Sequence, residues 1–366
     1  MQNLIRFVMI GGFLGAGKTT TIRKVAAHYV AAGKKVALVT NDQAYDLVDT
    51  ETLRSQGFTV GEVPGACFCC KFDDLVETIS GLSSEAVPDI VIAEPVGSCT
   101  DLVATVIAPM QQLFGDRFEI GPLAVLLKPE HGRKILSKQG RRGFSPKAEY
   151  IFLKQLEEAD SIFINKIDKL DAEQRDELLS LTRERFPDVE CFLLSARDGD
   201  GMNDLMAALT RDPRKRIGHM EVDYQTYGEG EAELGWMNCQ VTVAASDEPF
   251  ELDRLVELVV KRVGDELSEA GCEVAHLKVL GQTLQSTAVA NQVSSDGAAE
   301  LSLASEVKAE AADVLVNARV AASPEQLENA IANACKLLAV ELDINLQIGG
   351  MQSFRPAKPE PTHRHE

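Results

Sequence analysis

Eight residues near the start of the chain, Gly12-Phe13-Leu14-Gly15-Ala16-Gly17-Lys18-Thr19, match the phosphate-binding pattern G-x-x-x-x-G-K-[ST] at every position. The glycines let backbone N–H groups converge on phosphate oxygens, and a helix opening at Thr20 adds its positive end. Lys18 is placed to reach the β- and γ-phosphates, and the Thr19 hydroxyl to bind Mg²⁺. The flanks fit. Residues 4–10 form an apolar, β-rich run of strand length, and residues 20–32 carry Ile22, Val25, Ala26, Tyr29 and Val30 at helical spacing. Such a stretch binds a nucleoside triphosphate.

A second constellation speaks to the base. Asn165-Lys166-Ile167-Asp168 follows a buried run, 161–164, as the N-K-x-D motif does in GTPases. Asp168 can accept hydrogen bonds from guanine N1–H and the exocyclic amine, a donor pair that adenine lacks. Lys166 packs over the base and Asn165 ties the loop together. Ser195-Ala196-Arg197, after the next strand, offers backbone to the guanine oxygen. The other reading is an ATPase with a coincidental Asn-Lys-Ile-Asp. For hydrolysis, Glu94 and Asp42 stand at strand ends and are candidates for the outer Mg²⁺ shell or for placing water. Glu94 is the better placed of the two. No arginine finger can be named, so intrinsic turnover is expected to be slow and completed by a partner or a homodimer.

The third constellation is Cys67-Phe68-Cys69-Cys70. Thiolates select Zn²⁺, Cu(I) or Fe–S over Mg²⁺. C-x-C-C lacks the distant second pair of a zinc finger, so three thiolates with an open fourth position suit transfer better than structure. A loop between a strand end and a helix start also lowers thiol pKa through the helix dipole. Against this stands a plain alternative, three buried structural cysteines. Cys191, Cys239, Cys272 and Cys335 lie in apolar patterns and read as core; Cys99 is undecided. His28, His131, His219 and His276 show no metal spacing and read as packed or solvated, and His363 and His365 stand as H-x-H in the tail.

The elements that must position these residues alternate. Strand-like runs at 35–40, 58–63, 89–93, 120–127, 161–164 and 190–194 are separated by helical ones, which predicts an α/β fold: a P-loop NTPase with a doubly wound, mostly parallel sheet. The length, 366 residues, asks for two domains. We place the nucleotide domain at 1–212, a Gly- and charge-rich linker at 213–235, and a second domain at 236–352. Its β-α-β-β-α-β order predicts a ferredoxin-like α+β sandwich. The Pro- and Glu-rich tail 353–366 reads as disordered. Residues 128–147, with Arg133, Lys134, Lys138, Arg141 and Arg142, read either as a solvated loop or as an element that meets an acidic partner or the nucleotide.

Charge bounds the partners. With 37 basic and 56 acidic residues the formal net charge is −19, which disfavours nucleic acid. No apolar run approaches the ~20 residues that span a membrane, and the start lacks a signal-peptide pattern. These features predict a cytoplasmic protein whose eight cysteines are thiols or metal ligands rather than disulfides.

The phosphate loop, Cys67-Phe68-Cys69-Cys70, Glu94-Pro95-Val96-Gly97 and Asn165-Lys166-Ile167-Asp168 stand in one order, and together they resemble the CobW-like branch of the metal-handling GTPases that also includes HypB and UreG. The resemblance covers most of the chain, and the second domain looks like the CobW C-terminal domain. It implies GTP binding and hydrolysis coupled to delivery of Zn²⁺ or Co²⁺, or to maturation of a metalloenzyme or cobalamin cofactor. The implied partner is a client metalloprotein or a cobalamin-dependent protein. Two departures stand out. The chain has Asn41-Asp42-Gln43-Ala44 where the family shows an Asn-Glu-Phe-Gly-like sequence, and His363 and His365 are all it offers for the histidine-rich stretch of many members. The rival function is a regulatory GTP switch without metal cargo; a kinase-like ATP enzyme is a third reading, disfavoured by residues 165–168.

Overall fold

Long apolar runs of the first half become strands buried on both faces. The computed structural model describes residues 4–42, 48–82, 87–137, 145–215, 220–295 and 297–365. The chain divides into two units: Met1–Gln43 with Gly57–Gly230 and Lys358–Glu366, and Ala44–Gln56 with Glu231–Ala357.

In the first unit β1 (Ile5–Gly12) feeds α1 (Lys18–Ala31) and β2 (Val36–Asp42). The short α2 (Val48–Ser55) belongs to the second unit. Then follow β3 (Thr59–Pro64), α3 (Phe72–Leu82), β4 (Ile90–Glu94), α4 (Ala108–Phe114), β5 (Phe118–Leu127), α5 (Pro129–Leu136), α6 (Pro146–Glu157), β6 (Ser161–Ile164), α7 (Ala172–Arg185), β7 (Glu190–Leu193), α8 (Met202–Leu209) and α9 (Tyr224–Ala232). The sheet runs β3-β2-β4-β1-β5-β6-β7 and every pair is parallel. Parallel strands covered by helices need apolar side chains on both faces; Phe7, Val8, Met9 and Ile10 of β1 and Val91, Ile92 and Ala93 of β4 are at most 1% exposed. Because all seven strands point the same way, the loops after β1, β2, β3, β4, β6 and β7 gather at one edge of the sheet. Those loops, with the strand and helix ends that flank them, hold every candidate site residue, as in doubly wound sheets generally.

Three stretches differ from expectation. The helical run between β4 and β5 opens as a π-helical turn, Val103–Ile107, before α4. Pro109 cannot donate to the carbonyl four residues back, and the widened turn accommodates that break. The basic stretch begins as α5, with Pro129 in its first turn and Arg133 and Lys134 in its last, where the helix dipole favours cations; residues 138–144, including Lys138, Arg141 and Arg142, lie outside the described residues. Within the expected linker, α9 forms because Asp223 accepts from Gln225 N (2.9 Å) and Thr226 Oγ1 (2.5 Å), and Tyr227 is fully buried. The glycines there mask a helix anchored by two tyrosines.

The second unit is antiparallel. It comprises β8 (Gly235–Ala245), β9 (Phe250–Glu251), α10 (Leu252–Glu269), β10 (Glu273–Gln282), β11 (Thr287–Gln292), β12 (Glu300–Leu303), β13 (Lys308–Ala309), β14 (Ala311–Ala321), α11 (Pro324–Leu342) and β15 (Ile344–Phe354). The main sheet runs β12-β11-β10-β14-β8-β15. Its last four strands place the first between the third and the last, the ferredoxin-like order, extended by β11 and β12. The amphipathic α10 buries Leu255, Val256, Val259, Val260, Val263 and Leu267 against it. Ser323 caps α11 through a capping box: Gln326 N donates to Ser323 Oγ (3.2 Å) and Ser323 N to Gln326 Oε1 (2.8 Å). No helix of the described residues is long and apolar enough to cross a membrane.

Candidate nucleotide and metal site

The phosphate loop needs its glycines for space as well as rotation. Gly12 has φ 135°, and a Cβ there would stand 2.6 Å from the Leu126 carbonyl oxygen. Gly17 has φ 93°, and its Cβ would meet the Asn165 amide at 2.5 Å. Only glycine permits both the left-handed backbone and the close approach. Gly15 is also left-handed, at φ 72°. Lys18 opens α1, is 9% exposed and donates from Nζ to the Gly12 carbonyl at 3.0 Å. The amine therefore lies back across the loop it is expected to serve. Ala16 is fully buried, and Thr20 sits in the first turn of α1.

Thr19 Oγ1 donates to Glu94 Oε1 at 3.1 Å. A buried carboxylate and a hydroxyl at the mouth of a phosphate loop are hard oxygen donors, the type Mg²⁺ takes. Asp42 ends β2 in register with Pro64; its side chain lies outside the described residues, as do Gln43 and Ala44.

The guanine constellation is joined to the phosphate loop by Asn165, 1% exposed. Its Nδ2 donates to the Ala16 carbonyl at 2.8 Å, and its Oδ1 accepts from Ala196 N at 3.0 Å. Lys166 follows in the left-handed region, φ 62°. Ser195 Oγ donates to Asp168 Oδ1 at 2.8 Å and accepts from Asp198 N at 3.1 Å, so the carboxylate is oriented from the next loop. Lys24 of α1 donates to the Arg197 carbonyl at 2.6 Å. Residues about 150 positions apart are thus locked into one cradle.

The thiols also converge. Cys67 and Cys69 Sγ lie 2.9 Å apart, Cys67 and Cys70 3.3 Å, Cys69 and Cys70 3.8 Å. Among the described residues this is the one group of three or more His, Cys, Asp or Glu side chains placed to hold a metal. A tight turn, with Cys70 N and Lys71 N both donating to the Cys67 carbonyl, folds the sulfurs together before α3 begins. Asn41, at the end of β2, fastens this turn. Its Nδ2 donates to Val63 and Ala66 carbonyls (2.7 and 2.8 Å), and its Oδ1 accepts from Phe68 N (2.8 Å).

Cys99 is 1% exposed and stands beside the three without joining the group that could share an ion; its influence lowers the Cys67 thiol. Hydrogen bonds from Cys69, then Cys70 and Cys99, hold Cys67 well below the usual thiol range. The same bonds and burial raise Cys69, and Cys70 is pushed up to about 12, chiefly by Cys67. Cys99 is rigidly presented. Gln155 Nε2 donates to the Gly97 and Cys99 carbonyls at 3.0 and 2.8 Å, and Thr100 N donates to Tyr227 Oη at 3.1 Å. The same loop meets the phosphate side, since a Cβ on Gly97 would lie 2.8 Å from Leu14 and 3.0 Å from Lys18 Nζ. Residues 94–99 therefore meet Thr19 and Lys18 at one end and carry Cys99 toward Cys67 at the other.

Cys191, Cys239 and Cys272 are buried and Cys335 packs at the edge of the second unit's core, as the apolar patterns predict. His28 is exposed. His131 is buried with its ring edge-on to Phe13 and Phe152 at 5.7 and 6.2 Å; burial and then Lys128 hold its pKa well down. His219 lies outside the described residues. Lys128 was hidden in the basic stretch. It is 1% exposed, 3.4 Å from His131 Nε2, and burial lowers its amine to about 8. No sequence pattern marks it; only its place directly after a buried strand does.

The nucleotide-binding domain of the CobW/HypB/UreG family matches residues 6–191, just over half of the chain. A zinc chaperone, YeiR of Escherichia coli (strain K12), is 33% identical over 95 residues, 26% of this chain and 29% of that protein. A zinc chaperone, CobW of a Sinorhizobium species, is 36% identical over 104 residues, with the same two shares. The chain thus matches under a third of the length of these curated relatives. Among solved structures, HypB from Helicobacter pylori in complex with nickel is similar at TM-score 0.41 and 19% identity, covering 56% of this chain and 86% of that one. The Zn(II)-bound YjiA GTPase from E. coli has TM-score 0.36 and 15% identity, covering 91% and 99%.

Proposed function

The chain belongs to the CobW/HypB/UreG family, and from that premise we propose that it binds and hydrolyses GTP and uses nucleotide state to govern a thiol-held metal delivered to a client protein. One observation carries the reading: residues 94–99 meet the phosphate loop through Glu94 and Gly97, and end at Cys99, a buried residue whose influence lowers the Cys67 thiol. A nucleotide that displaces Thr19, Lys18 or Glu94 cannot leave the sulfurs undisturbed. That two relatives are named zinc chaperones favours Zn²⁺ as the cargo; Co²⁺ is the other ion suited to a thiolate set. The client is a metalloprotein or a cobalamin-dependent protein.

Gly12, Gly15, Ala16, Gly17, Thr19 and Thr20 cradle the phosphates, and Lys18 swings from the Gly12 carbonyl to neutralise the β- and γ-phosphates. Thr19, with Glu94 behind it, would hold Mg²⁺, which when bound supplies positive charge to the phosphate oxygens. Asp168 selects guanine, Lys166 covers the base, and Asn165, Ser195, Ala196 and Arg197 keep that pocket attached to the phosphate loop. Hydrolysis is then positioning and electrostatics, with water in line and no covalent intermediate.

Glu94→Gln keeps the shape and the acceptor for Thr19 but removes the charge. It should slow single-turnover GTP hydrolysis by about 100-fold, the lower end of what a positioned acid–base or orienting group supplies, while GTP affinity stays near the parental value. Hydrolysis at the parental rate would move the role elsewhere. The proposed function as a whole is tested by GTP/ATP competition together with metal analysis of the purified chain. Preference for GTP with stoichiometric Zn²⁺ or Co²⁺ supports it. GTP preference without thiol-bound metal leaves a regulatory GTP switch with structural cysteines.

A further inference from the structure

The Pro-rich tail shows no amphipathic period, yet residues 358–365 lie across the cysteine loop of the first unit, with Pro359 buried. Thr362 N donates to the Cys69 carbonyl at 2.8 Å and Thr362 Oγ1 to the Cys70 carbonyl at 3.0 Å. Glu360 N donates to the Cys70 sulfur at 3.3 Å. The His363 ring stands edge-on to Phe72, 5.0 Å between centroids, at the start of α3. Further on, Arg364 Nε pairs with Asp101 Oδ2 at 2.8 Å, a carboxylate whose side chain is 2% exposed, and His365 N donates to the Ala104 carbonyl at 2.8 Å. The segment therefore spans from the loop of Cys67, Cys69 and Cys70 to the residues that follow Cys99.

Resting on the reading of the thiol nest as a metal site, we propose that residues 358–365 are a working part of that site: a strap whose Glu360 N–H hydrogen-bonds the Cys70 sulfur and which must lift for the ion to leave. Three features argue for this beyond simple docking. Cys70 is the most exposed of the three clustered thiols, hence the side from which an ion departs, and it is the sulfur the strap engages. Donors aimed at a ligating sulfur belong to the outer shell that fixes ligand geometry and metal affinity. Pro359 and Pro361 flank Glu360 and restrict the backbone on both sides, so little entropy is lost when the strap seats. The strap is held by hydrogen bonds, an ion pair and the packing of Pro359 and His363, while Lys358, Glu360, Thr362, Arg364 and His365 stay exposed, a mixed seam suited to reversible displacement by a client.

The test uses Co²⁺ as the probe ion on the full chain, on Glu360→Pro, which deletes the single N–H aimed at Cys70, and on a chain ending at Ala357. Two quantities are read: the sulfur-to-cobalt charge-transfer band and the rate at which Co²⁺ passes to a chelator. GTP affinity checks the fold of each variant. We expect the shortened chain to lose Co²⁺ about 10- to 100-fold faster, the range set by outer-shell partners. Glu360→Pro should move the band and speed release in the same direction, and GTP affinity should hold in both. Release rates and band equal to the parent's in both variants would overturn the strap's role while leaving the metal site intact. A parent chain that takes up no Co²⁺ overturns the metal reading itself, a separate and distinguishable result.

Discussion

Cys69→Ser/Cys70→Ser should lose Zn²⁺ binding by on the order of 1000-fold or more and keep parental GTP affinity. A serine hydroxyl does not ionise near neutral pH, so two of the three clustered sulfurs cease to be ligands, and loss of even an outer-shell partner is worth about 10–100-fold. The variant should fold. Cys69 is buried, and a hydroxyl there costs about 1–3 kcal/mol if it finds no partner, less than a domain's total stability. GTP affinity is expected to hold because the hydrogen bonds that build the base and phosphate cradles run through Asn165, Ser195, Gly12 and Ala16, none of which contacts these thiols. Titration with a chromophoric chelator reads the first quantity and a fluorescent nucleotide the second. Parental Zn²⁺ affinity in the variant would mean that the thiols pack and do not ligate.

The second large effect is on base choice. Asp168→Asn should weaken GTP by about 2–4 kcal/mol, the range for leaving donors unpaired in a desolvated pocket, which is roughly 30- to 1000-fold. Xanthosine triphosphate should gain, because the new amide can donate to the carbonyl that replaces the guanine amine. The structure sharpens the expectation. Ser195 Oγ fixes one carboxylate oxygen at 2.8 Å, so the group cannot rotate away to hide the change, and an amide in its place keeps an acceptor for Ser195. Competition of the two nucleotides against a labelled one measures it. Unchanged GTP affinity would remove the guanine assignment.

How far these sites could be read from sequence depended on how locally each is written. Residues 12–19 and 165–168 are contiguous motifs, and their flanking strands are continuous apolar runs; both appear where the pattern puts them. The capping box at Ser323 and Gln326 is equally local. Asn41 was visible only as part of the Asn41-Asp42-Gln43-Ala44 stretch, because its three hydrogen bonds reach residues 22 to 27 positions away across a parallel strand pair. Cys99 was undecided for the same reason: Cys67 is 32 residues earlier in the sequence, in the loop after β3, and β2 lies between β3 and β4 in the sheet. Composition failed in the opposite direction at α9, where glycines outvoted two tyrosines one turn apart. It failed too at the tail, whose anchors are backbone donors meeting carbonyls and a sulfur, contacts that no hydropathy pattern records. Lys128 shows the limit in electrostatics, since a lysine in a basic stretch gives no sign that its neighbours will bury it.

The claim that unites these sites is that nucleotide and metal communicate through residues 94–99, and one measurement addresses it directly. Zn²⁺ affinity is determined with and without a non-hydrolysable GTP analogue, and the analogue's affinity with and without Zn²⁺. Coupling through a shared element is typically worth ~1–3 kcal/mol, so each ligand should change the other's affinity by about 5- to 150-fold, and linkage requires the two factors to be equal. Equal, non-unit factors that vanish in Cys69→Ser/Cys70→Ser are the predicted result. Zn²⁺ and analogue that bind with the same affinities alone and together would contradict it, and the thiol nest and the phosphate loop would then be neighbours without a shared function.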